Sequence, residues 1–212
     1  MVKARFPSRR PGQREMVSGM LWLAACLTGG YLAMGYEFQA GRLGPIQARW
    51  PAESAMARSR EAPTILAFLH PRCHCTAATV TQLVRVVAAH PGAALLVPVF
   101  VPQGLDDPHE WTEGAYVQAI RAAVPTAKMV PDWGGTEARR FGALTSGTIL
   151  VYDPEGTEIF RGGITNRRGG EDDNPGLQRF AQVLDGRTRS AYGGVSPVFG
   201  CPLVLADRDV NP

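Results

Sequence analysis

The chain has 212 residues, 45% of them hydrophobic and 19% charged, which is enough apolar matter for one core and excludes a wholly disordered chain. Its 22 basic and 19 acidic groups give a formal +3, yet Lys3, Arg5, Arg9, Arg10 and Arg14 stand before residue 37 against the single acid Glu15, leaving 17 basic and 18 acidic groups in the rest. A surface that holds nucleic acid by neutralising phosphates is excluded on that balance.

In chain order, the first feature is an uncharged stretch of 21 residues between Glu15 and Glu37. As a helix it would measure roughly 31 Å, one hydrocarbon core. With the basic cluster on its N-terminal side, the positive-inside tendency assigns residues 1–15 to the cytoplasm, residues 16–36 to a transmembrane signal anchor and the remainder to the far side of the membrane. Trp22 and Tyr36 suit interfacial positions. Two other readings stay open: a cleaved signal peptide, and a lipoprotein signal, because Leu23-Ala24-Ala25-Cys26 fits the pattern for a lipidated cysteine. All three carry the same domain across the inner (plasma) membrane, into the periplasm or another extracytoplasmic space.

Residues 37–62, punctuated by Gly41, Gly44, Pro45 and Pro51, read as a linker, with Trp50-Pro51 able to dock on the domain. Regular patterning then begins. Thr64–Leu69 is a short apolar strand; Val80, Leu83, Val84, Val87 and Ala88 recur at the spacing of one helix face, which Pro91-Gly92 ends. Strands are expected at residues 94–101 and 127–130, and helices at 109–123 and 136–141. Thr148–Tyr152 and residues 157–161 flank Asp153-Pro154-Glu155-Gly156, a hairpin turn, and Pro175–Leu184 is the last helix, capped by Asn174 or Asp173. The order predicts an α/β domain over residues 63–185, a mixed sheet with helices on both faces, followed by an irregular tail over 186–212.

The chemistry concentrates at Cys73-His74-Cys75, where the first domain strand meets its helix. A helix N-terminus favours the thiolate, the reactive form of cysteine, and Arg72 and His74 would add to that effect. A strand, a cysteine pair at a helix start, a β-hairpin and a final helix resemble the thioredoxin-like superfamily over residues 60–185. More narrowly, the chain is similar to membrane-anchored RedB-type thioredoxin-like proteins, through its anchor, its Pro-rich linker, His70-Pro71-Arg72-Cys73-His74-Cys75 and Gly162-Gly163-Ile164-Thr165. The resemblance implies that Cys73 is the attacking cysteine and that the domain is a thiol-disulfide oxidoreductase acting on protein thiols and disulfides, without a cofactor. His70, Arg72 and His74 would tune the thiolate. Two departures stand out: one residue, not two, separates the cysteines, and Gly147 before Thr148 stands where the superfamily usually has a cis-proline. Residues i and i+2 of a helix point about 200° apart, so a Cys73–Cys75 disulfide requires a non-helical start or strain.

Cys201 is either a resolving thiol for Cys73 or Cys75, a partner in an intermolecular bond, a free thiol or a small buried residue of the tail. The rival reading of the site is a copper(I) or zinc chaperone using Cys73, Cys75, His70 and His74, with His90 or His109 as a distant ligand; the crowded spacing argues against one closed tetrahedral site. His90 and His109 read more simply as helix-end residues. Arg161-Gly162-Gly163 and Arg168-Gly169-Gly170 look like RNA-binding triplets but sit on a non-basic domain and read as a glycine-rich strand exit followed by a surface loop, and Glu171-Asp172-Asp173-Asn174, which cannot all face one ion, reads as solvated loop plus helix cap.

Overall fold

The computed structural model describes residues 12–101, 114–187 and 195–204. The chain divides into two units, Met1–Glu37 and Phe38–Pro212. In the first, α1 (Gln13–Glu37) is one continuous helix with no buried residue, long and apolar enough to cross a membrane. Most of the basic tail lies outside the described residues.

The second unit is built on a five-stranded sheet of β1 (Thr64–Leu69), β2 (Leu95–Phe100), β3 (Val130–Pro131), β4 (Thr148–Tyr152) and β5 (Glu158–Gly162), in the order β3-β2-β1-β4-β5. Strands β1, β2 and β3 are parallel, with Thr64 opposite Leu95 and Val99 opposite Val130, while β4 runs antiparallel to both β1 and β5. Strand β3 is shorter than the expected residues 127–130 and displaced toward Pro131. A proline has no N–H to give, which suits an edge and limits the pairing to two residues. The β4–β5 turn closes as expected: Gly156 takes φ +84° and donates its N–H to the Asp153 carbonyl at 2.9 Å.

Alternation along the strands sends side chains to two cores. Ile65, Ala67, Leu69, Leu96, Phe100, Ile149 and Val151 face the helices α2 (His74–Ala89), α3 (Ala115–Ala123) and α5 (Pro175–Leu184). Leu66, Phe68, Val97, Val99, Leu150 and Tyr152 face the short helix α4 (Thr136–Arg140), Phe141, Met56 and Leu203. The face of α2 is slightly rotated from expectation, with Val86 buried and Ala88 exposed beside Val80, Leu83 and Val87. Helix α3 is described from Ala115, so the start of the expected helix, with His109, lies outside the described residues. Asn174 caps α5 by accepting the Leu177 N–H at 3.0 Å.

The stretch expected as a linker is laid along the domain. Gly44 donates to the Gly142 carbonyl at 2.8 Å, Trp50 to that of Gly156 at 2.7 Å, and the Tyr152 hydroxyl to that of Gln47 at 3.1 Å. Trp50 sits edge-on to both Phe141 and Tyr152, each at 5.1 Å between ring centroids, so the docking read from Trp50-Pro51 is present. Tail residues 195–204 contain neither helix nor strand, only single bridges, yet bury Val198, Phe199 and Leu203.

Candidate active site

The loop between β1 and α2 places the cysteines. Cys73 is the N-cap of α2 with extended backbone (φ −81°, ψ 113°), while Cys75 lies inside the first turn, so the non-helical start that the spacing demanded exists. The loop is tied down by hidden hydroxyls: the Ser146 Oγ accepts the His70 N–H at 2.9 Å and lies 2.9 Å from the Thr76 Oγ1, and the Thr76 hydroxyl also reaches the His70 carbonyl at 3.2 Å. The Arg72 N–H donates to the His70 Nδ1 at 3.1 Å, and the side chains of Arg72 and His74 are exposed.

Cys201 arrives from the tail. Its Sγ lies 3.0 Å from the Sγ of Cys73, longer than the ~2.05 Å of a covalent S–S bond and short for two sulfurs merely in contact. The tail backbone is fixed to the loop before β4 by two bonds, Ser146 N–H to the Cys201 carbonyl and Leu203 N–H to that of Leu144, each at 2.9 Å, which together make the antiparallel Thr145–Pro202 bridge. Gly147 occupies the expected cis-proline place with φ +92°, and no cis peptide occurs among the described residues. Its N–H donates to the Phe68 carbonyl at 2.8 Å, and a Cβ there would come within 2.9 Å of the Thr79 Oγ1. The Thr148 hydroxyl donates to the Thr145 carbonyl at 2.6 Å and so shapes the loop.

Three cysteines in one place have unequal acidities. Burial pushes the Cys73 thiol up, but hydrogen bonds from the Cys201 thiol and backbone N–H, the Thr76 hydroxyl and the Cys75 N–H outweigh it, and the net displacement is downward. The Cys201 thiol is pushed up to about 12, by burial first and then by its bond to Cys73 and the neighbouring negative charge. Cys75 is also raised, by burial and by the charge of Cys73, with Arg168 acting against the rise. The low member of the set is thus the one at the helix cap, and the high member is in contact with it.

Four contributors carry no signal in the sequence. Ser146 and Thr76 anchor the loop, Tyr116 donates to the Cys73 carbonyl at 3.2 Å, and Arg168 bonds Cys75 and the Gly200 carbonyl, the latter at 2.6 Å. The Arg168 triplet reads as surface loop in the sequence, since one cation in a loop after β5 does not reveal where it points. The other triplet is structural: Arg161 is buried, paired with Glu158 at 2.6 Å, and donates to the Phe141 carbonyl at 3.0 Å. His90 is the helix-end residue expected, its pKa raised by its bond to the Val86 carbonyl and by Asp185 at 2.9 Å. Among the described residues no group of three or more His, Cys, Asp and Glu side chains is arranged to hold a metal ion.

A parallel β1–β2–β3 half, an antiparallel β4–β5 hairpin, a closing helix and a cysteine at the β1–α2 junction are what the resemblance implied. The fold is thioredoxin-like. No protein-family model matches the chain, and no curated protein matches it. Solved structures do. A hypothetical protein of Sinorhizobium meliloti superposes with TM-score 0.57 at 16% identity, covering 80% of this chain and 100% of that one. An uncharacterised conserved protein of Geobacillus kaustophilus gives TM-score 0.53 at 16% identity, over 80% and 94%. A secreted disulfide oxidoreductase of Mycobacterium tuberculosis is also similar, with TM-score 0.39, 17% identity, and 59% and 81% covered. At these identities the likenesses concern the fold alone.

Proposed function

We propose that the chain is a membrane-anchored, extracytoplasmic thiol-disulfide oxidoreductase whose reacting pair is Cys73 and Cys201. The observation that carries the reading is the 3.0 Å approach of those two sulfurs at the N-cap of α2. Thiol-disulfide exchange of this kind needs one thiolate to attack and a second thiol able to displace the partner from the mixed disulfide. The Cys73 thiolate attacks one sulfur of a partner's disulfide, the new Cys73–partner bond forms, and the partner's other sulfur leaves as a thiolate. Cys201 then attacks the Cys73 sulfur, its proton passing to the departing partner thiol. The partner gains two electrons, and Cys73–Cys201 is left as a disulfide; the reverse sequence oxidises a partner dithiol. Cys75, held by Arg168, is the third thiol of the site, while His70, Arg72 and His74 shape its rim.

The partners are proteins bearing thiols or disulfides. Within the superfamily the chain resembles the RedB-type proteins, on the motifs His70-Pro71-Arg72-Cys73-His74-Cys75 and Gly162-Gly163-Ile164-Thr165. The apolar α1 with basic residues before it supports a single-pass anchor, N-terminus in the cytoplasm and thioredoxin-like domain outside.

The test is thiol alkylation with mass mapping of the full chain in detergent, oxidised and reduced, with and without copper(I). A reversible Cys73–Cys201 disulfide, and loss of exchange in Cys73→Ser, are expected. Thiols that resist oxidation but are protected by one equivalent of copper would overturn the redox reading in favour of a metal chaperone.

A further inference from the structure

Beside the thiols lies a cavity that the exchange chemistry does not use. It measures about 400 Å³ and opens where the loop after β5, the first turn of α5 and the tail meet, with Pro197 and Phe199 as part of an apolar wall. Thr165 is 4% exposed and Ser196 8%, both line the cavity, and neither hydroxyl has a hydrogen-bond partner among the described residues. Buried polar groups are ordinarily paired, so these two hydroxyls are built for a group that enters from outside.

The charge of the cavity comes from α5. Arg179 lines it, with its guanidinium over the Phe160 ring at 5.1 Å from the centroid and Nη2 donating to the Arg161 carbonyl at 3.4 Å. Burial disfavours the charged form of Arg179, a cost that an anion beside it offsets. Gly176, in the first turn, also borders the cavity, which places the positive end of the helix dipole there. Its lack of a side chain lets α5 start against the loop, since a Cβ would collide with the Gly163 carbonyl oxygen. One planar cation, two hydroxyl donors and a helix start within an apolar wall match a single carboxylate on an apolar stem.

The cavity adjoins the reacting sulfurs. Phe199 stands two positions before Cys201, so their Cα atoms are at most about 7 Å apart. Arg168, in the same loop as Thr165, bonds both Cys75 and the Gly200 carbonyl.

We propose that this cavity is a specificity subsite of the thiol centre, taking the carboxylate of an acidic side chain about two positions from the reacting cysteine of a partner protein, with Arg179 pairing to it and Thr165 and Ser196 donating to it. This specificity rests on the redox reading of the site. It selects disulfides flanked by acidic residues.

The test uses acetylated, amidated peptides with one cysteine and glutamate two positions away on each side, or glutamine there as the control. As disulfide dimers they take two electrons from the reduced full chain in detergent, giving two peptide thiols and the Cys73–Cys201 disulfide. With serine in place of cysteine they report binding alone, by calorimetry. The glutamate dimer is expected to react about tenfold faster than the glutamine dimer, and the glutamate serine peptide to bind about tenfold more tightly, the worth of one hydrogen bond to a charged group. Both ratios are expected to fall to about one in Arg179→Gln, and to shrink in Thr165→Val, which keeps the cation. Ratios of one in the wild type, or ratios that survive Arg179→Gln, overturn the proposal. Should Arg179→Gln not fold, unchanged ratios in Thr165→Val overturn it. N-acetylglutamic acid amide binding as tightly as the peptide assigns the cavity to a small free acid and overturns the partner assignment. The two readings fail separately: tight binding of the glutamate serine peptide with no reduction of either dimer removes the redox reading, whereas reduction of both dimers at one rate removes the subsite only.

Discussion

At Cys73, burial and hydrogen bonding act on the same proton in opposite directions, and hydrogen bonding prevails. The donors come from two separate pieces of chain: the first turn of α2 through Thr76 and Cys75, and the distant tail through Cys201. Removing the tail's thiol therefore removes one support of the thiolate without touching the helix. In Cys201→Ala the pH profile of Cys73 alkylation is expected to shift upward, with the thiolate-dependent limb starting at higher pH than in the wild type. A group whose ionised form is stabilised by a donor loses acidity when the donor goes, so reactivity near neutral pH falls. Pseudo-first-order alkylation rates from about pH 5 to about pH 10, a window spanning the usual thiol value, are the check; an unmoved profile would show that the helix start alone governs Cys73.

At the scale of elements, the loop entering β4 is the hinge of the site. It brings Ser146 beneath the β1–α2 loop, offers Thr145 and Leu144 to the tail, and turns at Gly147 into the strand that pairs with β1. The superfamily's usual proline would fix φ near −65°, whereas this chain needs +92°, so the departure seen in the sequence is a different backbone solution and not a vacant proline site. Gly147→Ala is expected to cost about 1–3 kcal/mol, from the positive φ and from the approach of its Cβ to the Thr79 hydroxyl. Chemical denaturation measures that loss. Because Ser146 moves with the loop, the same variant is expected to weaken the Cys73–Cys201 pairing, read by mass mapping. Much at this scale is legible in the sequence. The apolar runs of β1, β4 and the α5 helix, with its proline at the first turn and Asn174 before it, carry their own boundaries. Strand β3 falls elsewhere than its composition suggests because, at the edge of the sheet, its pairing is set by β2 alone.

For the whole molecule, the segment before the first strand and the segment after the last helix are both part of the domain. Residues 41–50 run along Gly142, Thr145 and Gly156, and the tail closes over the cysteines. Trp50 holds the first of these by its two edge-on contacts, a pair of interactions worth together about 1–3 kcal/mol, beyond its area burial. Trp50→Ala is expected to lower stability by that amount or somewhat more while leaving the acidity of Cys73 unchanged, since the donors that act on Cys73 are Cys201, Thr76 and Cys75 and none of them is Trp50. Thermal unfolding and the Cys73 alkylation profile, taken together, test both halves of the expectation. Composition holds no hint of this docking beyond the Trp50-Pro51 pair, because chains rich in glycine and proline look alike whether they hang free or lie in register along a surface.

What the amino-acid sequence determined by itself is local or additive: an uncharged helix with a basic flank, the alternation and periodicity that set strands and helices around a mixed sheet, and a cysteine at a helix start. These follow from solvent partition and backbone geometry within a few neighbouring residues. Tertiary structure alone decided which thiol faces Cys73. The separation of 128 positions from Cys73 to Cys201 is bridged by backbone bonds from the tail to residues 144–146, and no spacing rule reaches across it. The same is true of Arg168 and Ser146, ordinary polar residues whose roles come from the loops that deliver them. Acidity, burial and access at Cys73 are properties of that assembled neighbourhood, since each depends on donors and cover contributed by parts of the chain that meet only in the folded domain.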